Sequence, residues 1–333
     1  MLRRDFLARL AAVAASAGRG MAILAMTSHG QDARATSRGR DGSSFATTTP
    51  THLAASAAVR LQRISISTWS LHNYFRSTRR SNFNLPGPML ALLDFPDLIV
   101  DRYKVHHFEF CTTHFGSTEP TYLRELKYAL LRTGSTVVNI PVDIPECGRH
   151  GTFSDPDRKT RMAALDAVKP WVDVAYTLGA RSVRVGPGKV DPANLAPTAE
   201  AYKALAMYAQ AKGIRVIVEN HGDFGTKHPE ELVKLFKLTG PGRIGALPDF
   251  ANFSDETTRE KGLKMLFPYA STVCHAKGLE FDADGAEKGF DFPLAMEIAR
   301  KAGFRGVYSI EFEGPGDPYE GIQKTLDELL KYL

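Results

Sequence analysis

The chain is short of cysteine and tryptophan and has no long apolar run. Cys111, Cys147 and Cys274 make an odd count with no CxxC spacing, so free, mostly buried thiols are expected rather than a disulfide framework. No segment approaches the roughly 18 to 20 uninterrupted apolar residues that span a bilayer, which excludes a stable membrane span. Charge is also scarce once it is located. The formal net charge is +5 over 333 residues, and residues 1–62 carry all of it, with Arg3, Arg4, Arg9, Arg19, Arg34, Arg38, Arg40 and Arg60 against Asp5, Asp32 and Asp41. A neutral body offers little to a phosphate backbone, so no nucleic-acid partner is expected. A glycine-rich phosphate loop is missing too. The first strand candidate runs into Ser67-Thr68-Trp69-Ser70-Leu71-His72-Asn73, which argues against an open dinucleotide-binding sheet.

What is present begins with an address. Arg3-Arg4-Asp5-Phe6-Leu7 resembles the twin-arginine export signal and precedes an alanine-rich run, Leu10 to Ala17, and a second apolar piece, Met21 to Met26. Small-residue cleavage sites stand at Ala15-Ser16-Ala17 and Ala33-Arg34-Ala35. Residues 1–35 therefore read as an export signal for the periplasm. Residues 36–62 have no apolar period and read as a disordered linker, which leaves residues 63–333 as the folded domain.

From Arg63 onward, short apolar strands alternate with longer amphipathic helices, the pattern of a parallel α/β fold. Strands are expected at Ile64–Thr68, His107–Cys111, Thr136–Ile140, Ser182–Val185, Arg215–Glu219, Ile244–Pro248, Thr272–His275 and Val307–Glu311. Helices are expected around Pro96–Tyr103, Pro120–Thr133, Asp157–Leu178, Thr198–Lys212, Pro229–Leu238, Asp255–Phe267, Phe292–Ala302 and Pro318–Leu333. Several helices open on proline or on a preceding Asp or Thr, as helix N-termini prefer. Eight such units in strict alternation predict a single-domain (β/α)8 barrel.

In a barrel the site lies at the C-terminal ends of the strands. Strand five ends in Glu219, strand six runs into Asp249, strand seven ends in His275 and strand eight in Glu311. Each follows apolar residues, and an unpaired charge in such surroundings is costly. Three carboxylates and an imidazole converging on one point call for a cation. Oxygen donors with one nitrogen favour a single divalent ion, Mn2+ first, with Mg2+, Co2+ or Zn2+ as alternatives. Glu313 lies two residues beyond Glu311, so period-two alternation leaves open which of the two is the strand-eight ligand.

The segments Glu219-Asn220-His221-Gly222, Pro248-Asp249-Phe250-Ala251-Asn252-Phe253, His275-Ala276-Lys277-Gly278 and Ser309-Ile310-Glu311-Phe312-Glu313-Gly314 resemble the sugar-phosphate isomerase/epimerase-like family. This is the xylose isomerase-like TIM barrel group, which includes ketose 3-epimerases, hydroxypyruvate isomerase and endonuclease IV. The resemblance runs from about Arg63 to the C-terminus. It implies that Glu219, Asp249, His275 and Glu311 hold a metal, and that Glu219 and Glu311 transfer protons as a catalytic pair. It also implies a small-molecule carbohydrate partner, and it is compatible with a homo-oligomer. Two positions depart from the ketose epimerases: Asn252 stands where they carry His, and Lys277 and Glu280 stand where they place an Arg. Trp69, His72, Glu109, Arg184, His221, Asn252 and Lys277 are the expected substrate contacts. The expected activity is isomerisation or epimerisation of a keto-sugar by proton abstraction beside a carbonyl. A lyase using the same bases, or a non-catalytic sugar-binding barrel, is the alternative.

Overall fold

A computed structural model describes residues 58–81, 87–145, 152–222 and 224–333. The expected export signal, most of the expected linker and Cys147 lie outside the described residues. Residues 58–61 form one helical turn, and Arg60 Nη1 donates to the Leu330 carbonyl at 2.9 Å. Eight strands and eight helices alternate. They are β1 (Ile64–Ser67), α1 (Phe95–Tyr103), β2 (His107–Glu109), α2 (Pro120–Arg132), β3 (Thr136–Val142), α3 (Arg158–Leu178), β4 (Ser182–Val185) and α4 (Ala196–Gln210). Then come β5 (Arg215–Glu219), α5 (Pro229–Thr239), β6 (Ile244–Leu247), α6 (Glu256–Leu266), β7 (Val273–Gly278), α7 (Phe292–Lys301), β8 (Val307–Phe312) and α8 (Pro318–Tyr332). Every expected element is there, displaced by a few residues at most.

Local chemistry sets these boundaries. Asp157, Asp255, Asp291 and Asp317 cap the N-termini of α3, α6, α7 and α8, their carboxylates accepting backbone N–H bonds that the first turn cannot satisfy itself. The α3 helix ends on Gly179, whose φ of 75° is the left-handed conformation that glycine adopts without a Cβ penalty. No helix among the described residues is long and apolar enough to cross a membrane. Cys111 and Cys274 are buried and unbonded.

All the strands are parallel, in the order β6-β5-β4-β3-β2-β1-β8-β7. The ring closes between β6 and β7 by isolated bridges, Ala246 with Ala270 and Asp249 with His275. His275 N donates to Pro248 O at 2.9 Å, and Phe250 N donates to His275 O at 3.1 Å. The seam of the barrel is therefore stitched by the backbone of two residues expected to bind metal. Strand alternation then divides the interior from the outer layer. Ile64, Ile66, Phe108, Val183, Val216, Val218 and Ile310 belong to the large core cluster shared with the helices. Val138, Ile217, Leu247, Val273 and Val307 form a separate, fully packed cluster. Two residues further along the same strand faces stand Glu219 after Ile217 and His275 after Val273, and four further stands Glu311 after Val307. The apolar floor and the polar site above it are consecutive layers of one pattern.

Candidate metal centre and catalytic site

The end of β5, the first turn after β6, the middle of β7, which runs three residues past its expected end at His275, and the penultimate residue of β8 bring Glu219, Asp249, His275 and Glu311 together. One ligand atom from each lies within 4.8 Å of all the others, and all four residues are buried. His275 Nδ1 is 3.3 Å from Glu219 Oε1, 3.4 Å from Asp249 Oδ2 and 3.4 Å from Glu311 Oε2. Its other nitrogen, Nε2, is 2.8 Å from Glu109 Oε1, and that carboxylate accepts from Asn139 Nδ2 at 2.8 Å through its second oxygen. With a proton on Nε2 donated to Glu109, the Nδ1 lone pair faces three carboxylates. Nδ1 and Asp249 Oδ2 are buried with no hydrogen-bond partner among the described residues, as is Glu219 Oε2. Buried polar atoms are nearly always satisfied. The Nδ1 lone pair and the three carboxylate oxygens turned towards it, Glu219 Oε1, Asp249 Oδ2 and Glu311 Oε2, fit a divalent cation, and an oxygen-rich set with one imidazole suits Mn2+, Mg2+ or Zn2+.

The backbone around Asp249 is fixed first. Its Oδ1 accepts from Ala251 N at 2.8 Å and Asn252 N at 2.9 Å, which turns Oδ2 inward. Asn220, fully buried, clamps β5 to β6 by accepting from Asp249 N at 2.8 Å and donating to the carbonyls of Asp249 and Asn252, each at 3.1 Å.

Two cations balance the acids. Arg184 Nη1 donates to Asp143 Oδ1 at 2.7 Å, and its Nε lies 3.1 Å from Glu219 Oε2. Lys277 Nζ lies 2.7 Å from Glu313 Oε2, 2.9 Å from Glu311 Oε2 and 3.2 Å from Asp249 Oδ2. The two glutamates of the expected catalytic pair are pushed in opposite directions. Burial raises the Glu219 pKa, but Arg184 and His275 outweigh it and hold the carboxyl well below its usual value. For Glu311 burial wins over His275 and Lys277, and the pKa is raised. The His275 imidazole is penalised by burial, yet Glu311, Glu109 and Glu219 hold its pKa well above normal. An ionised Glu219 opposite a Glu311 that favours its proton is the arrangement an acid–base pair needs.

Of the two strand-eight glutamates, the structure brings Glu311 into the four-residue group. Strand β8 stops at Phe312, and Glu313 beyond it turns to accept from Trp69 Nε1 at 2.6 Å and from Lys277. Several expected substrate contacts occupy other posts. Glu109, fully buried in β2, sits behind His275, its Oε1 2.8 Å from Nε2. Arg184 is spent on Asp143 and Glu219, and Lys277 on three carboxylates. Asn252 donates to Glu219 Oε1 at 3.1 Å and accepts from Lys277 at 3.4 Å, since its carboxamide lies between them. His221 lies past the end of β5, exposed. Trp69 and His72 lie on the turn after β1, half-buried and stacked with ring centroids 4.8 Å apart. Behind them His114 packs on Phe75 at 4.0 Å, and burial lowers its pKa to about 3. Sequence reasoning missed Asp143, Asn139 and Asn220. Asp143 follows the last residue of β3, so the strand-end rule that found the four ligands would have found it had β3 been drawn to its full length.

Comparison with known proteins agrees with this fold. No curated protein matches the chain. Solved structures do, at low identity. One is a xylose isomerase-like TIM barrel protein from Mycobacterium smegmatis in complex with magnesium, 15% identical, with a TM-score of 0.58 over 81% of this chain and 96% of that one. Another is the IOLI protein with a bound zinc atom, 16% identical, TM-score 0.61, covering 81% and 99%. A third is 3-keto-D-glucoside 4-epimerase from E. coli, 14% identical, TM-score 0.59, covering 81% and 99%. At these identities the likeness shows the fold. The family profile is more specific: it matches residues 100–332, from α1 through the last helix, and the chain belongs to the xylose isomerase-like TIM barrel family.

Proposed function

We propose that the protein is a metal-dependent isomerase or epimerase of a neutral keto-sugar. The observation that carries this reading is the pairing of Glu219 and Glu311, buried in one cluster with opposite proton preferences and sharing it with Asp249 and His275. Glu219, Asp249, His275 and Glu311 would hold the ion. When bound, a divalent cation would supply Lewis-acid polarisation of the substrate carbonyl and offset the charge that develops on its oxygen. Glu219, ionised, removes the proton from the carbon beside the carbonyl. Glu311 delivers its own proton to the substrate, and exchange with water resets the pair. Arg184 and Asn252 hold Glu219 in place from two sides, and Trp69 offers an aromatic face at the mouth. Magnesium and zinc in two proteins of similar fold, and the 3-keto-glucoside substrate named for a third, support the reading.

The neutral substrate follows from what the loops have already bound. Barrels commonly hold phosphate with backbone N–H groups after strands seven and eight and at a helix N-terminus there. After β7, Glu287 accepts from Leu279 N at 2.7 Å, Gly289 N at 2.7 Å and Glu280 N at 3.1 Å. At the start of α8, Asp317 accepts from Tyr319 N at 2.9 Å. The chain's own carboxylates thus occupy donors that a phosphate would use. Incubation with keto-hexoses, their glycosides and their phosphate esters in deuterated water tests both statements. A neutral sugar should gain solvent deuterium at the reacting carbon and turn over faster than its phosphate ester. A new unsaturated product would mean a lyase, and binding without exchange would mean a non-catalytic barrel.

The His275–Glu109 contact predicts a further effect. Glu109→Gln weakens the hydrogen bond that orients the imidazole, so the protein should stay folded while its Mn2+ affinity falls about 10- to 100-fold. Calorimetric titration measures this, and unchanged affinity would remove Glu109 from the site. Export by the twin-arginine route is part of the proposal and suits a protein that takes up its metal before leaving the cytoplasm. Arg3→Lys together with Arg4→Lys should retain the precursor inside the cell, and continued periplasmic accumulation would refute the signal.

A further inference from the structure

Lys277 is the least expected member of the cluster. It lies on β7 two residues past His275, with its side chain 4% exposed, and its ammonium touches Asp249 Oδ2, Glu311 Oε2 and Glu313 Oε2 within 3.2 Å. The first two of these atoms also face His275 Nδ1 at 3.4 Å each, so they are the oxygens the four-residue group turns towards its centre. The third belongs to a residue outside that group. Glu313, at 2.7 Å, and the Asn252 carboxamide oxygen, at 3.4 Å, hold the ammonium as well.

We propose that Lys277 is the internal counter-ion of the metal site: it neutralises the carboxylates when no metal is bound and sets how tightly a divalent ion binds. The inference rests on the metal reading above. Two positive centres that share the same two oxygens repel each other, and each oxygen turned to the ion is less available to the ammonium. Metal binding therefore works against Lys277, which falls back on Glu313 and Asn252. Without Lys277 the cluster would keep Glu109, Glu219, Asp249, Glu311 and Glu313 with Arg184 as the one fixed cation among the described residues, and burial makes uncompensated like charge costly. By linkage, whatever stability Lys277 gives to the metal-free protein more than to the loaded one must reappear as weakened metal affinity. A residue that merely fills space would not show this reciprocity.

The test uses the full chain, freed of metal by chelation and titrated with Mn2+ by calorimetry, with Tm read for metal-free and Mn2+-saturated protein. Lys277→Met should bind Mn2+ at least tenfold more tightly than the natural protein. Its Tm should fall when metal-free and fall distinctly less when saturated. Lys277→Arg keeps the charge and should bind Mn2+ close to the natural value. Lys277→Gln, which retains a polar contact to Glu313, should behave as the Met variant does and serves if that variant does not fold. Affinity unchanged or weakened in both neutral variants, or tightened equally in the Arg variant, overturns the proposal while leaving the metal reading intact. Failure of every form, the natural one included, to take up Mn2+ or Mg2+ overturns the metal reading and this inference with it.

Discussion

His275→Ala and Asp249→Ala should each abolish tight divalent-ion binding, and with it turnover. These substitutions should have the largest effect on the site because neither residue has a substitute nearby. His275 supplies the one nitrogen and is fully enclosed. Asp249 has one oxygen locked by Ala251 N and Asn252 N, and only Oδ2 is left for the centre. Their backbones are also bridged across the β6–β7 seam, which the side-chain change leaves intact. The barrel should therefore still close. Stability is a separate readout. Removing the imidazole leaves Glu109 Oε1 buried without its partner, and breaking a buried charged pair from one side costs about 3–5 kcal/mol. His275→Ala should consequently lower the Tm of the metal-free protein. Metal analysis of the purified variants decides the matter: about one ion per chain in the natural protein and none in either variant is the expected result. Unchanged metal content in both would remove these residues as ligands.

The sequence exposes the ligands because the barrel repeats a simple rule. Val216-Ile217-Val218 runs apolar up to Glu219, and Val307-Tyr308-Ser309-Ile310 runs largely apolar up to Glu311, so the acid that breaks the run marks the site even before the fold is known. The same rule fails where the strand is short or irregular. Strand β2 has three residues and a register shift at Glu109, and alternation over so few residues cannot tell whether a carboxylate meets substrate or meets His275. Strand β3 continues to Val142, past the point where its apolar run is broken by Pro141, and Asp143 at its end was lost for that reason. Partnerships between distant segments are less legible still. Nothing in the local pattern of Lys277, Asn252 or Arg184 says that the nearest polar group will be a carboxylate of another strand. A buried cation must find an anion, so the need is readable from sequence, but the identity of the partner is set by the curvature of the closed sheet.

Glu219→Gln and Glu311→Gln should each lower kcat by at least about 10²-fold, the low end for the loss of a positioned acid or base. The two variants should fail differently. Glutamine at 219 keeps an oxygen for Asn252 but removes the charge beside Arg184, so proton removal is lost and deuterium no longer enters the substrate. Glutamine at 311 leaves Glu219 and its partners in place. Abstraction by Glu219 then persists while delivery is blocked, and solvent exchange at the reacting carbon should outlast net conversion. The pKa directions favour this order: Glu219, held low by Arg184 and His275 against its burial, starts as the base, and Glu311, raised by burial, starts as the acid. In the reverse direction of a reversible epimerisation the roles exchange, so the asymmetry should be strongest when the reaction is followed from one epimer only. Comparing deuterium incorporation with product formation in the two variants, from each epimer in turn, reads the assignment directly. Glu313→Gln is the control. It should weaken the hold on Lys277 and Trp69 and leave proton transfer measurable, since its carboxylate lies outside the four-residue group. An inactive Glu313→Gln beside a fully active Glu311→Gln would move the catalytic acid two residues along the chain and overturn the pairing.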